Sequence, residues 1–158
     1  PRNVAVFATP KTVDSGAYPH QVRLRAPKFQ VIQQPCPGLV GAIEAGEPEE
    51  KLSAMIEGYC QKLAKQMVGE KLDAVFLGCT HYPLVENLFR KFLPEGVEIL
   101  DQPEIAAAAL KTYLEKHPEF KTQGSGETLY FTTGKPIDVR PLGNLLAENN
   151  IKFQEISG

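Results

Sequence analysis

No apolar run in this chain of 158 residues approaches the roughly 20 residues that a membrane-spanning helix needs, so no spanning segment is expected within it. Nor is there an excess of positive charge: 17 Lys and Arg stand against 19 Asp and Glu, a formal charge of −2. Without a basic field, neither nucleic acid nor an anionic membrane surface is an expected partner. Cysteine is scarce as well. Cys36, Cys60 and Cys79 are odd in number and widely spaced, which excludes a disulfide framework and points to a reducing, cytoplasmic setting. No internal repeat is visible. What is there, 42% apolar and 23% charged residues, suffices for one domain of ordinary size.

Strand-like and helix-like segments alternate along the chain. Val4 to Thr9 reads as a strand, and Thr9-Pro10 then supplies a cap and a first-turn proline for a helix kept short by Gly16 and Pro19. Phe29 to Gln33 is the next strand, followed by a short helical segment through Leu39, Val40 and Ile43. From Pro48 to Val68, Leu52, Met55, Ile56, Tyr59, Cys60, Leu63 and Met67 recur at three- and four-residue steps, which predicts one long amphipathic helix. Ala74 to Leu77 and Val97 to Leu100 read as strands around a helix over Pro83 to Leu93. Pro103 to Glu115 is an alanine-rich helix with Ile105, Ala109 and Leu110 on its expected buried side. Lys121 to Gly126 is a polar break; Thr128 to Thr133 and Ile151 to Gln154 are strands, with a helix over Asp138 to Asn149 between them. This βαβα succession predicts an α/β fold, a mostly parallel sheet flanked by helices.

The most informative stretch is Asp73-Ala74-Val75-Phe76-Leu77-Gly78-Cys79-Thr80-His81-Tyr82-Pro83-Leu84. An apolar strand ends on a glycine, and a thiol and an imidazole follow two residues apart. Ligands of open α/β sheets gather just beyond the carboxyl ends of the strands, so Cys79, Thr80 and His81 are expected to line a crevice. The plainer reading of either residue alone is a buried structural cysteine and a loop histidine.

Gly78-Cys79-Thr80-His81-Tyr82-Pro83-Leu84 resembles the second catalytic-cysteine motif of the cofactor-independent glutamate racemases. Three further stretches resemble that family in the same order: Val4 to Tyr18, with its Thr-x-x-Thr-Val-x-Ser-x-x-Tyr segment; Cys36-Pro37 with Glu44-Ala45-Gly46; and Tyr130-Phe131-Thr132-Thr133-Gly134. The family's first catalytic cysteine, in Cys-Asn-Thr, has no counterpart, and no opening strand containing Asp-Ser-Gly is read. The resemblance therefore implies the carboxyl-terminal part of a racemase, one half of a two-domain fold. Residues 1–101 would form the second domain, carrying Cys79, and 102–158 the returning segment of the first. The missing amino-terminal part or a second copy of the chain is then an expected partner, because the returning helices would otherwise expose apolar faces.

The activity the resemblance implies is interconversion of L- and D-glutamate by two-base proton transfer at Cα, without cofactor or metal, supplying D-glutamate for peptidoglycan; this part alone would be inactive. Inverting a stereocentre needs one acid/base group on each face, and a thiol serves when a nearby cation or helix amino terminus, such as one before Pro83, favours the thiolate. Cys79 is the expected acid/base on the L-glutamate face, Thr80 and His81 the substrate-binding pair, with His81 also assisting Cys79. Glu44 orients and charges His81. Cys36 is read as structural and Cys60 as core. Rival readings are an aspartate or other amino-acid racemase, a noncatalytic binding module, and a metal site using Cys79 and His81 with Cys36 or Glu44. Cys-x-His is weak support for metal, since structural zinc favours paired ligands at Cys-x₂₋₄-Cys spacing. A Cys/His hydrolase has no evident orienting residue or oxyanion loop.

Overall fold

The computed structural model describes residues 2–100, 102–120, 129–135 and 153–156. The expected helix over Asp138 to Asn149 and the break at Lys121 to Gly126 lie outside the described residues. Four strands, β1 (Arg2–Ala8), β2 (Phe29–Pro35), β3 (Ala74–Leu77) and β4 (Glu98–Leu100), form one sheet in the order β2-β1-β3-β4. Every pairing in it is parallel, with Val4 opposite both Val31 and Ala74 and Val75 opposite Ile99. The chain leaves β1 toward β2 and leaves β3 toward β4, in opposite directions. The carboxyl ends of β1 and β3 therefore mark the switch point, the place at which parallel sheets hold ligands.

Alternation along the strands divides the sheet into two faces. Ala5 and Phe7 on β1, with Val75 and Leu77 on β3, are fully buried against α4 (Glu49–Gln66) and α5 (Glu86–Phe92). Leu52, Ile56, Tyr59, Cys60 and Leu63 form the buried stripe of α4, and Phe89 of α5 packs on Phe7 with ring centroids 5.0 Å apart. The expected amphipathic helix is thus the main cover of the core. Glu49 and Glu50 in its first turn complement the positive end of its dipole.

On the other face, α1 (Pro10–Asp14) and α2 (Ala17–Arg25) make the β1 to β2 crossover. Thr9 caps α1, its hydroxyl accepting from the Thr12 N–H, and Pro10 occupies the first turn as expected. The helix begun at Pro10 is short, as expected, but a further helix follows that Pro19 does not block. Pro19 is the third residue of α2, where a backbone N–H has no intrahelical partner to lose, and Gly16 at φ 63° makes the turn that separates the two helices. No residue of α2 is buried, and an apolar groove of about 320 Å³ lies between it and Val4, Val6, Phe76 and Leu100.

Beyond β4, α6 (Gln102–Lys116) forms over the predicted alanine-rich stretch, but the expected buried side is exposed. Ile105 and Leu110 are 56% and 57% accessible, Ala109 is exposed too, and no residue of α6 is buried among the described residues. A separate pair of parallel strands, β5 (Tyr130–Thr132) and β6 (Phe153–Glu155), is joined by a Tyr130–Phe153 edge contact at 5.9 Å.

Candidate active site

β3 hands its backbone directly to the motif. The Gly78 N–H donates to the Phe7 carbonyl at 2.8 Å, carrying the β1–β3 pairing one residue past the strand. Glycine is needed there for room: a Cβ would sit 3.1 Å from Val6 Cγ1, 3.2 Å from the Phe7 carbonyl oxygen and 3.2 Å from the Tyr18 hydroxyl. Past it, the Tyr82 N–H donates to the Cys79 carbonyl at 3.1 Å, and Tyr82–Val85 form a single 3₁₀ turn before α5. Tyr82 is fully buried and packs on Phe89 at 5.9 Å, so the loop is pinned at both ends. The helix terminus expected before Pro83 is this 3₁₀ turn, and α-helical geometry begins only at Glu86.

Glu44 reaches the loop from β2's side of the sheet. α3 (Leu39–Glu44) is anchored by buried Leu39, Ala42 and Ile43, and it stops where Gly46 turns left-handed at φ 65°. The Gly46 N–H donates to Ile43 and the Glu47 N–H to Ala42, a paired closure that leaves Glu44 in the last helical turn. From there Glu44 Oε1 lies 2.8 Å from His81 Nε2, and His81 Nδ1 lies 3.8 Å from Cys79 Sγ. Cys79 and His81 are partly exposed, and Thr80 between them is exposed. The structure thus brings Cys79, His81 and Glu44 into one line of contact, with Thr80 at its edge.

That line has a definite chemical capacity. With the His81 proton on Nε2 and donated to the carboxylate, the Nδ1 lone pair is free to accept the Cys79 proton, and the resulting imidazolium faces both a thiolate and Glu44. The other two thiols are held apart from such chemistry. Cys36 is buried at the end of β2, its thiol donating to the Gln34 carbonyl at 3.7 Å, and burial pushes it well above the usual thiol range. Burial raises Cys60 on the α4 stripe to about 12. Tyr82 is pushed up by the same desolvation, its hydroxyl facing Cys36 without a well-formed hydrogen bond. Among the described residues no three His, Cys, Asp or Glu gather where they could hold a metal ion, and no helix is long and apolar enough to cross a membrane.

One contact was not foreseen. The Tyr18 hydroxyl stands against Gly78 and accepts from Gln102 Nε2 at 3.3 Å, although the sequence marks Tyr18 only as the end of a family-like segment. No spacing rule links residues 18, 78 and 102.

The fold and this loop define a parallel α/β protein with a thiol, an imidazole and a carboxylate at the sheet's switch point. No protein-family model matches the chain. It is 44% identical over 133 residues to a glutamate racemase of Phenylobacterium zucineum, covering 84% of this chain and 47% of that protein. With the glutamate racemase of a Jannaschia species the identity is 39% over 155 residues, 98% of this chain and 56% of that one. Among solved structures, glutamate racemase from Francisella tularensis in complex with D-glutamate matches at a TM-score of 0.82 and 26% identity, over 99% of this chain and 58% of that chain. The Thermus thermophilus glutamate racemase, solved with β-chloro-D-alanine, matches at 0.76 and 31%, over 99% of this chain and 57% of that chain. Over nearly its whole length the chain is similar to glutamate racemases, and it spans about half the length of the curated relatives it matches.

Proposed function

We propose that this chain carries one of the two acid/base faces of a glutamate racemase, with Cys79 moving the Cα proton of L-glutamate. The observation that carries this reading is the contact from Cys79 Sγ through His81 to Glu44 at the carboxyl end of β3, in a chain similar to a racemase solved with D-glutamate. His81 takes the thiol proton, and Cys79 as thiolate removes the Cα proton. Glu44 holds the imidazole in orientation and stabilises its charged form. Thr80, exposed beside them, binds the substrate through its hydroxyl or backbone N–H together with His81. No cofactor enters the scheme, because two opposed acid/base groups suffice to invert a stereocentre.

The second, opposing group lies outside this chain in the proposal. Residues 1–101 then form one racemase domain and 102–158 a returning segment of the other, a division that the exposed apolar side of α6 supports. The partner that completes the site is the amino-terminal part of a racemase or a second copy, and the whole enzyme supplies D-glutamate for peptidoglycan in the cytoplasm. The test is incubation of L-glutamate in deuterated water with the 158-residue chain held as a monomer, checked by light scattering. Slow deuterium exchange at Cα with retained L configuration, lost on Cys79→Ser, is the expected result, with no D-glutamate formed. Exchange that survives Cys79→Ser, or D-glutamate made by the chain alone, would refute the one-face scheme.

A further inference from the structure

We propose that Tyr18 is a positioning residue for Cys79, its hydroxyl tying the Gly78–Cys79 turn to the first residue of α6. The inference rests on the reading of Cys79 and His81 given above and adds to it a residue that touches neither. Tyr18 is the second residue of α2, and its ring packs on Phe76 of β3 with centroids 5.4 Å apart. Phe76 lies on the face opposite the main core, two residues before Gly78. The ring therefore sits under the end of β3, and its hydroxyl reaches the position that a Gly78 side chain would occupy, 3.2 Å from the Cβ site.

That hydroxyl has a second engagement. Gln102 Nε2, on the opening residue of α6, donates to it at 3.3 Å. Among the described residues this is the one side-chain hydrogen bond between α6 and residues 2–100, and α6 buries no residue of its own. A movement of α6 is therefore felt at the Tyr18 hydroxyl, against Gly78, and one residue further along at Cys79. The contact with His81 Nδ1 is long, at 3.8 Å, so a small displacement of the turn is enough to weaken it. Ring and hydroxyl have separable duties: the ring keeps α2 on the sheet, and the hydroxyl joins the turn to α6.

Removing only the hydroxyl separates them. The assay is the rate of iodoacetamide alkylation of Cys79 as a function of pH in the full 158-residue chain, read by mass spectrometry of the peptide that carries it. Cys36 and Cys60, 1% and 6% exposed, report in the same sample whether the core has opened. Tyr18→Phe should lower the Cys79 rate near neutral pH by at least about twofold, the factor that the weak end of a hydrogen bond's net worth gives. At alkaline pH the rates should converge. A purely structural loosening would instead raise the rate at every pH and expose Cys36. Gln102→Ala, which cuts the same bond from the far side, should reproduce the profile, and the double variant should add nothing further. Should Tyr18→Phe open the core, Gln102→Ala decides alone. Profiles of both variants superimposing on the parent would overturn the proposal. If Tyr18→Phe shifts the profile while His81→Asn leaves it untouched, the tie stands and the underlying role of His81 fails.

Discussion

Replacing Glu44 by Gln removes one charge 2.8 Å from His81 Nε2 and keeps an oxygen of the same reach. The Glu44 side chain is 52% exposed and that of His81 21%, so water screens the pair, and its worth to folding is on the order of 0.2–1 kcal/mol. The denaturation midpoint of Glu44→Gln should hardly move. Its effect on thiol chemistry is of a different kind, because in the proposed relay the carboxylate acts on the imidazolium formed when His81 takes the Cys79 proton. A loss of about 1 kcal/mol from that state lowers its population roughly fivefold, since about 1.4 kcal/mol is a factor of ten. The assay pairs urea unfolding with the pH profile of Cys79 alkylation. Near neutral pH the rate should drop by about twofold to fivefold, with the profile displaced to higher pH and stability within about 1 kcal/mol of the parent. In a complete racemase built on this chain, the same variant should shift the pH limits of turnover from L-glutamate and leave KM mostly intact. An unchanged profile would show that the 2.8 Å contact does not act on the thiol. A large loss of stability would show that Glu44 is structural, and either result refutes the relay.

Gly78→Ala should destabilise the fold by about 1–3 kcal/mol in urea titration, because the added Cβ meets β1 backbone at 3.2 Å and Val6 at 3.1 Å, where neither can withdraw cheaply. Cys79 alkylation should change with it, as the turn is pushed off β1; a neutral variant would mean that the turn is loosely held. The two buried thiols contribute to alkaline stability, since burial holds Cys60 up at about 12 and Cys36 well above the usual range. Their folded pKa values are raised, so the contribution is complete below about pH 8.5 and is lost as pH rises toward the folded values. Unfolding free energy should fall by at most about 1.4 kcal/mol per pH unit per thiol above about pH 9. Cys60→Ala should remove one share of that slope, and a slope equal to the parent's would contradict the assignment.

How much of this was readable beforehand depends on the range of the interaction. β3 was legible to the residue because four consecutive apolar side chains ending in glycine describe a strand buried on both faces. The α4 stripe was legible because helical periodicity records which side is covered. Glu44 and His81, 37 positions apart, could be paired in advance because both segments were expected to leave carboxyl ends of strands in one sheet. α2 was missed because proline was weighed as a breaker, whereas at the third position of a helix it forfeits no hydrogen bond.

Tyr18 was illegible for a different reason. Its contacts with Gly78 and Gln102 arise only after two crossovers have brought three distant segments to the same sheet edge, and neither periodicity nor a motif registers that meeting. α6 lies between these cases. The spacing of Ile105, Ala109 and Leu110 encodes a demand for burial, yet periodicity carries no information on whether the surface that satisfies it belongs to this chain. Their exposure therefore does not count against the pattern. It supports the proposal that 102–158 belong to a unit completed from outside, and in the same proposal the hydroxyl of Tyr18 links α6 to the turn that holds Cys79. A partner that covers α6 would then fix the helix from which Gln102 reaches the turn, and completion of the fold and alignment of the thiol would be one event.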